Sequence, residues 1–179
     1  LRTRGSWRGD TVDLAQIEAT APQLLALHGN ATLTLGATPE LALGRLVIEA
    51  LEFPAAYTSL MQITLAATDF GDLVTAGRAS GTARFAHNAL ERIDLQLEHF
   101  STYNEREFFM KDVAGELHWA AATNADVSPS WLSWSSGGAY GLSGGASRVA
   151  FVTRAASFAL IEPWHMPIFD GAIDIRTLA

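Results

Sequence analysis

The stretch Arg92-Ile93-Asp94-Leu95-Gln96-Leu97-Glu98 alternates without a break, apolar at 93, 95 and 97 and polar at the positions between. Successive side chains of a strand point to opposite faces, so this pattern predicts a β-strand with one dry face and one wet face. Shorter alternations at Thr32–Leu35, Gln62–Leu65, Glu116–Trp119, Arg148–Phe151 and Ala172–Arg176 read the same way. Between them stand Gly36, Asn88, Gly115, the pairs Gly137-Gly138 and Gly144-Gly145, and Gly171, the punctuation of an antiparallel meander. The expected fold is mainly β: a curved or folded-over antiparallel sheet, groove-like and built of repeats, with one or two short helices. Those helices are expected at Asp13–Thr20 and Asp69–Ala76, where an Asp able to cap precedes apolar residues about a turn apart. Pro22 and Gly77 would end them.

Two stretches match in order. Asp13-Leu14-Ala15-Gln16-Ile17, Gly29-Asn30-Ala31-Thr32-Leu33 and Leu43–Phe53 correspond to Asp69-Phe70-Gly71-Asp72-Leu73, Gly81-Thr82-Ala83-Arg84-Phe85 and Leu90–Phe100. Self-similarity on this scale indicates stacked supersecondary units, which make long surfaces rather than compact pockets. The approximate units are residues 11–53 and 67–100, followed by a loop around Ala120–Pro129 and a closing sheet segment, 113–179. The whole chain, 1–179, reads as a single fragment of a longer repeat-built β-groove domain, since it starts at Leu1 rather than Met.

Composition removes several function classes. Net charge is −7 and the 12 basic residues form no stripe, so nucleic acid is not an expected partner. With no Cys there is no disulfide, thiolate metal site or Cys nucleophile. Charged residues make up only 17% against 49% hydrophobic, which leaves apolar surface beyond ordinary packing needs. No apolar run reaches the roughly 18 residues of a spanning helix.

The chemistry-bearing residues lack catalytic spacing. Glu105, Glu107 and Asp112 gather near Arg106 and Lys111, a mixed-charge group that reads as the wet surface of a hairpin turn. His28, His87, His99, His118 and His165 show no metal-ligand spacing, and neither a nucleophile elbow nor a phosphate loop is present. Trp131 and Trp134, three apart, would face opposite sides of a strand. The expectation is therefore a protein that is not an enzyme and takes no cofactor and no metal.

An apolar row does recur. If the duplicated strands pair side by side, Leu46, Ile48 and Ala50 line up with Ile93, Leu95 and Leu97, and Leu117, Trp119, Val149, Phe151, Ile173 and Ile175 extend the row. Two readings share it: an open trough for acyl chains, or the interior of a closed β-sandwich or barrel serving as a structural or protein-interaction module. Exposed strand edges would also allow edge-to-edge self-association.

The Asp-Leu/Phe-Ala/Gly-x-Ile/Leu unit with its Gly-led strand resembles the repeats of AsmA-like proteins. The closing stretch, with Ser130-Trp131-Leu132-Ser133-Trp134, Tyr140-Gly141-Leu142 and Glu162–Ile175, is similar to the YdbH group. The resemblance spans the whole chain and implies a bridge-like lipid-transfer protein of the Gram-negative cell envelope. Its parent would be anchored in the inner membrane and extend through the periplasm, with phospholipid acyl chains as its partners.

Overall fold

The computed structural model describes residues 1–68, 71–104 and 108–177. Fourteen strands form one open sheet. They are β1 (Arg2–Arg8), β2 (Thr11–Ala21), β3 (Leu25–Thr34), β4 (Glu40–Phe53), β5 (Val74–Ala86), β6 (Ala89–Tyr103) and β7 (Phe108–Ala120), then β8 (Ser130–Trp134), β9 (Ser136–Ala139), β10 (Leu142–Gly144), β11 (Ser147–Arg154), β12 (Ser157–Leu160), β13 (Trp164–Ile168) and β14 (Gly171–Ile175). The sheet does not close on itself, so the sandwich or barrel expected as an alternative is not the fold.

From β1 to β7 each strand pairs with its predecessor, antiparallel throughout. Beyond β7 the strands break into pieces. The first half of β7 pairs with β9 and the second half with β8, the break falling at Ser135, whose N–H donates to Lys111 O at 3.0 Å. In turn β11 pairs with β8 and β12, whereas β10 pairs with β9 and β13. Beyond the start of β8, Thr153 and Arg154 pair directly with Trp119 and Ala120, in parallel. One strand is thus missing at that end of the sheet and present at the other. Removing a width of about 4.8 Å at one end only forces local curvature.

That curvature makes the core. Val113, Trp134, Val149 and Phe151 are buried against one another, with Leu97, Phe100, Leu117, Leu132 and Trp164 packed around them. Trp164 meets Trp134 edge-on at 5.6 Å, and Phe158 stacks on Phe151 at 4.8 Å. Trp164 Nε1 donates to Ser147 Oγ and Trp119 Nε1 to Ala155 O, so neither indole is left with an unpaired donor.

Three sequence expectations are corrected. Asp13–Thr20 lies within β2, not a helix. A bulge between Leu14 and Ile17 inserts a residue, and the resulting three-residue spacing of apolar positions imitates a helical turn. The described part of Asp69–Ala76 ends as the start of β5, with no helix, while Asp69 and Phe70 lie outside the described residues. Conversely Gln62–Leu65, read as strand, is the short helix α1, preceded by a wider π-type turn over Tyr57–Met61. Four residues cannot separate the two periods. Met61 and Leu65 sit half-buried one helical turn apart while Ile63 stands 86% exposed, as a helix requires.

Candidate functional site: an uncovered apolar sheet face

The registers place apolar residues in rows that cross the sheet. One row runs Ile17, Gly29, Leu46, Ala83, Ile93, Trp119; the next runs Ala19, Leu27, Ile48, Gly81, Leu95, Leu117. A third runs Ala21, Leu25, Leu51, Ala79, Leu97, Gly115, Leu132, Val149. The duplicated strands do not pair side by side, because β5 lies between β4 and β6. Even so, Leu46 remains in line with Ile93 and Ile48 with Leu95.

Ala50 departs from the expected row. A bulge between Ile48 and Leu51 shifts the register, and Leu51 takes the place opposite Ala79 and Leu97. At the far edge, Ile173 pairs with Met166 and Ile175 with Trp164, so both extend the face that Trp164 shares with Trp134. Val149 and Phe151 belong to the buried core and offer little surface. Of the expected row, Leu46, Ile48, Ile93, Leu95, Leu97, Leu117 and Trp119 are half-buried on one continuous face.

Among the described residues the core reaches this face at Leu97 and Phe100 of β6, whereas none of β1–β5 makes extensive contact with a strand other than its neighbours in the sheet. The relief there comes from side-chain size. Strand β5 presents Gly77, Ala79, Gly81 and Ala83, while β4 presents Leu46, Ile48, Leu51 and Phe53 and β6 presents Ile93, Leu95, Leu97 and Phe100. A floor of small residues is thereby walled on both sides, the two walls about 10 Å apart at ordinary strand spacing. Phe53 and Phe100 meet edge-on at 5.0 Å across Gly77 and close one end. Gly77 and Gly81 have φ of +108° and +154°, conformations that favour a residue without a Cβ. Sequence reading missed this floor; its signal was the run of Gly and Ala at every second position from 77 to 83.

Two mainly apolar concavities lie toward the fractured strands. One of about 280 Å³ is lined by Met110, Trp134, Leu142, Trp164, Met166 and Ile168 and is nearly all apolar. The larger, about 690 Å³, lies between the ends of β5–β7 and the β9–β10 turn, away from the rows of large aliphatic residues.

The opposite face is polar and cross-linked. All five histidines place Nδ1 against a carboxylate: His28–Glu49 at 3.0 Å, His87–Glu40 at 2.6 Å, His99–Asp112 at 2.7 Å, His118–Asp94 at 2.8 Å and His165–Asp174 at 2.8 Å. Each histidine has its own acidic partner, and among the described residues no three His, Asp or Glu side chains gather as a metal site. Asp94 also accepts from Arg92 Nε at 2.9 Å. Burial would raise the Asp94 pKa, but the hydrogen bonds from Arg92 and His118 outweigh it and hold the carboxyl below its ordinary value. The Trp pair divides as its spacing predicts: Trp134 faces the core, while Trp131 lies beneath the Arg148 guanidinium at 4.9 Å. Glu105, Arg106 and Glu107 lie outside the described residues. No protein-family model, curated protein or solved structure matches this chain, so the functional reading rests on its own geometry.

Proposed function

We propose that this chain is a non-enzymatic lipid-carrying segment, in which acyl chains lie against the apolar face of β2–β6. One observation carries the reading. Apolar side chains continue in register across these strands, large on β4 and β6 and small on β5, half-buried, with no strand of the described protein layered over β2–β5. Covering such a face removes apolar surface from water at about 25 cal/mol per Å², or about 0.8 kcal/mol per methylene of an acyl chain.

The arrangement also suits passage rather than capture. The face carries no charged side chain among Leu46, Ile48, Leu51, Ile93, Leu95 and Leu97, so nothing there would pin a headgroup, while Arg92, Asp94, Gln96 and Glu98 keep the reverse side wet. Taken with the AsmA-like resemblance, the reading extends to phospholipid movement between the inner and outer membranes, in the periplasm, by an anchored parent protein. The test is gentle purification followed by lipid extraction and mass spectrometry. Co-purifying phospholipid, displaced by an apolar dye, is expected; a preparation free of lipid that also fails to bind the dye contradicts the proposal.

A further inference from the structure

The polar face holds a cationic row that the sheet itself does not neutralise. Arg45 pairs in register with Arg84, and Arg84 with Arg92, which places three guanidinium side chains next to one another on β4, β5 and β6. Like charges directly opposite one another on a sheet are destabilising. Arg92 is held by Asp94 and donates to Asp126 O at 3.3 Å. Arg45 and Arg84 have no ion pair or hydrogen-bond partner among the described residues. Of the other arginines in the sheet, Arg78 pairs with Glu52, Arg148 lies on Trp131 and Arg154 donates to Ala125 O, while Arg2, Arg4 and Arg8 on the edge strand β1 are likewise without an ion pair or hydrogen-bond partner among the described residues. In a chain of net charge −7, two neighbouring unpaired arginines run against the prevailing composition.

The surroundings supply a place for an anion. Asn30 is the register partner of Arg45 on β3, and a shallow depression of about 320 Å³ beside them is lined by Gln16, Glu18, His28, Asn30, Arg45 and Val47. Arg84 stands on the other side of Arg45 from this depression. Glu18 at the depression's far side accepts from Gln16 Nε2 at 2.6 Å and keeps its charge, and Glu49 faces His28, so the anion would sit on the Arg84 side of Arg45. The open donors are the two guanidinium forks and the Asn30 amide. Planar forks match the oxygens of a phosphate group and make charge-assisted bonds to it.

We propose that Arg45 and Arg84, with Asn30, form a binding site for a phosphate group on the polar face of the sheet. Binding a dianion between them replaces mutual repulsion by attraction. The site is independent of the trough, because a chain lying on the apolar face is separated from it by the sheet. The phosphate belongs either to the headgroup of an anionic lipid or to a soluble phosphate ester.

The experiment titrates inorganic pyrophosphate against the intact chain at constant ionic strength in chloride, following the arginine Nε–H groups by NMR, and repeats it with Arg45→Gln and Arg84→Gln. Saturable shifts of both groups, with affinity weakened about tenfold in each variant, are expected. Sedimentation with vesicles of phosphatidylcholine, with and without phosphatidylglycerol, then assigns the source. Binding to the anionic vesicles that the variants lose supports a headgroup, and pyrophosphate binding without vesicle binding supports a soluble ester. Shifts that never saturate, or an affinity unchanged in both variants, overturn the site.

Discussion

Strands β1–β6 and β7–β14 carry the same alternation and belong to the same sheet, yet the buried cluster of large side chains forms in the second group, with Leu97 and Phe100 of β6 at its margin. Val113 is 2% exposed, because the broken strands beyond β7 let Trp134, Val149 and Phe151 fold around it. In β2–β4 the strands are long and paired along their length, and Leu27, Leu46 and Ile48 stay half-buried. An apolar face is therefore not a core until the backbone bends over it. Continuous pairing, bulges included, keeps the amino-terminal half open, and interruption closes the carboxy-terminal half.

Substitutions that treat the two halves alike in chemistry should separate them in outcome. The largest effect is expected for Val113→Asp, which buries a carboxylate with no partner in the closed half. Unfolding, or a loss above about 4 kcal/mol in urea denaturation, is the expected result; a stable variant would mean that the core is no drier than the trough. Gly81→Ala acts on the floor of the open half, where φ is +154° and a Cβ would meet the Asp94 carbonyl. A loss of about 1–3 kcal/mol is expected there, and an unchanged melting temperature would remove the argument for a glycine-built floor.

A smaller effect belongs to the seam, where Asp94 on β6 joins Arg92 and His118. Asp94→Asn should cost about 1–2 kcal/mol at neutral pH. Because the folded-state pKa of Asp94 lies below its ordinary value, its contribution is present above the unfolded carboxylate pKa and is lost as pH falls through the folded one. The parent and variant should accordingly converge in strongly acidic solution. A difference that persists there would assign the effect to packing rather than charge.

Strong alternation made the open half readable, and register made the row. Arg92–Glu98 is a strand, and Leu46, Ile48, Ile93 and Leu95 share a face although β5 intervenes. What escaped reading was governed by single-residue insertions. The bulge after Leu14 disguised β2 as a helix, and the one after Ile48 exchanged Ala50 for Leu51. The core around Trp134 and Trp164 was not legible either, since it depends on where strands break, and Ser135 carries no pattern that marks a break.

The central claim, that the face of β2–β6 is open, is tested most directly by Leu95→Asp, with Val113→Asp as its counterpart in the closed half. A hydrated carboxylate at position 95 should cost no more than about 2 kcal/mol, while binding of lipid and apolar dye falls sharply. Melting temperature and bound phospholipid, measured together on that variant, decide the matter. A folded protein that has lost its lipid is the predicted result, and a collapse as complete as that of Val113→Asp, or a folded protein with undiminished lipid, would contradict it.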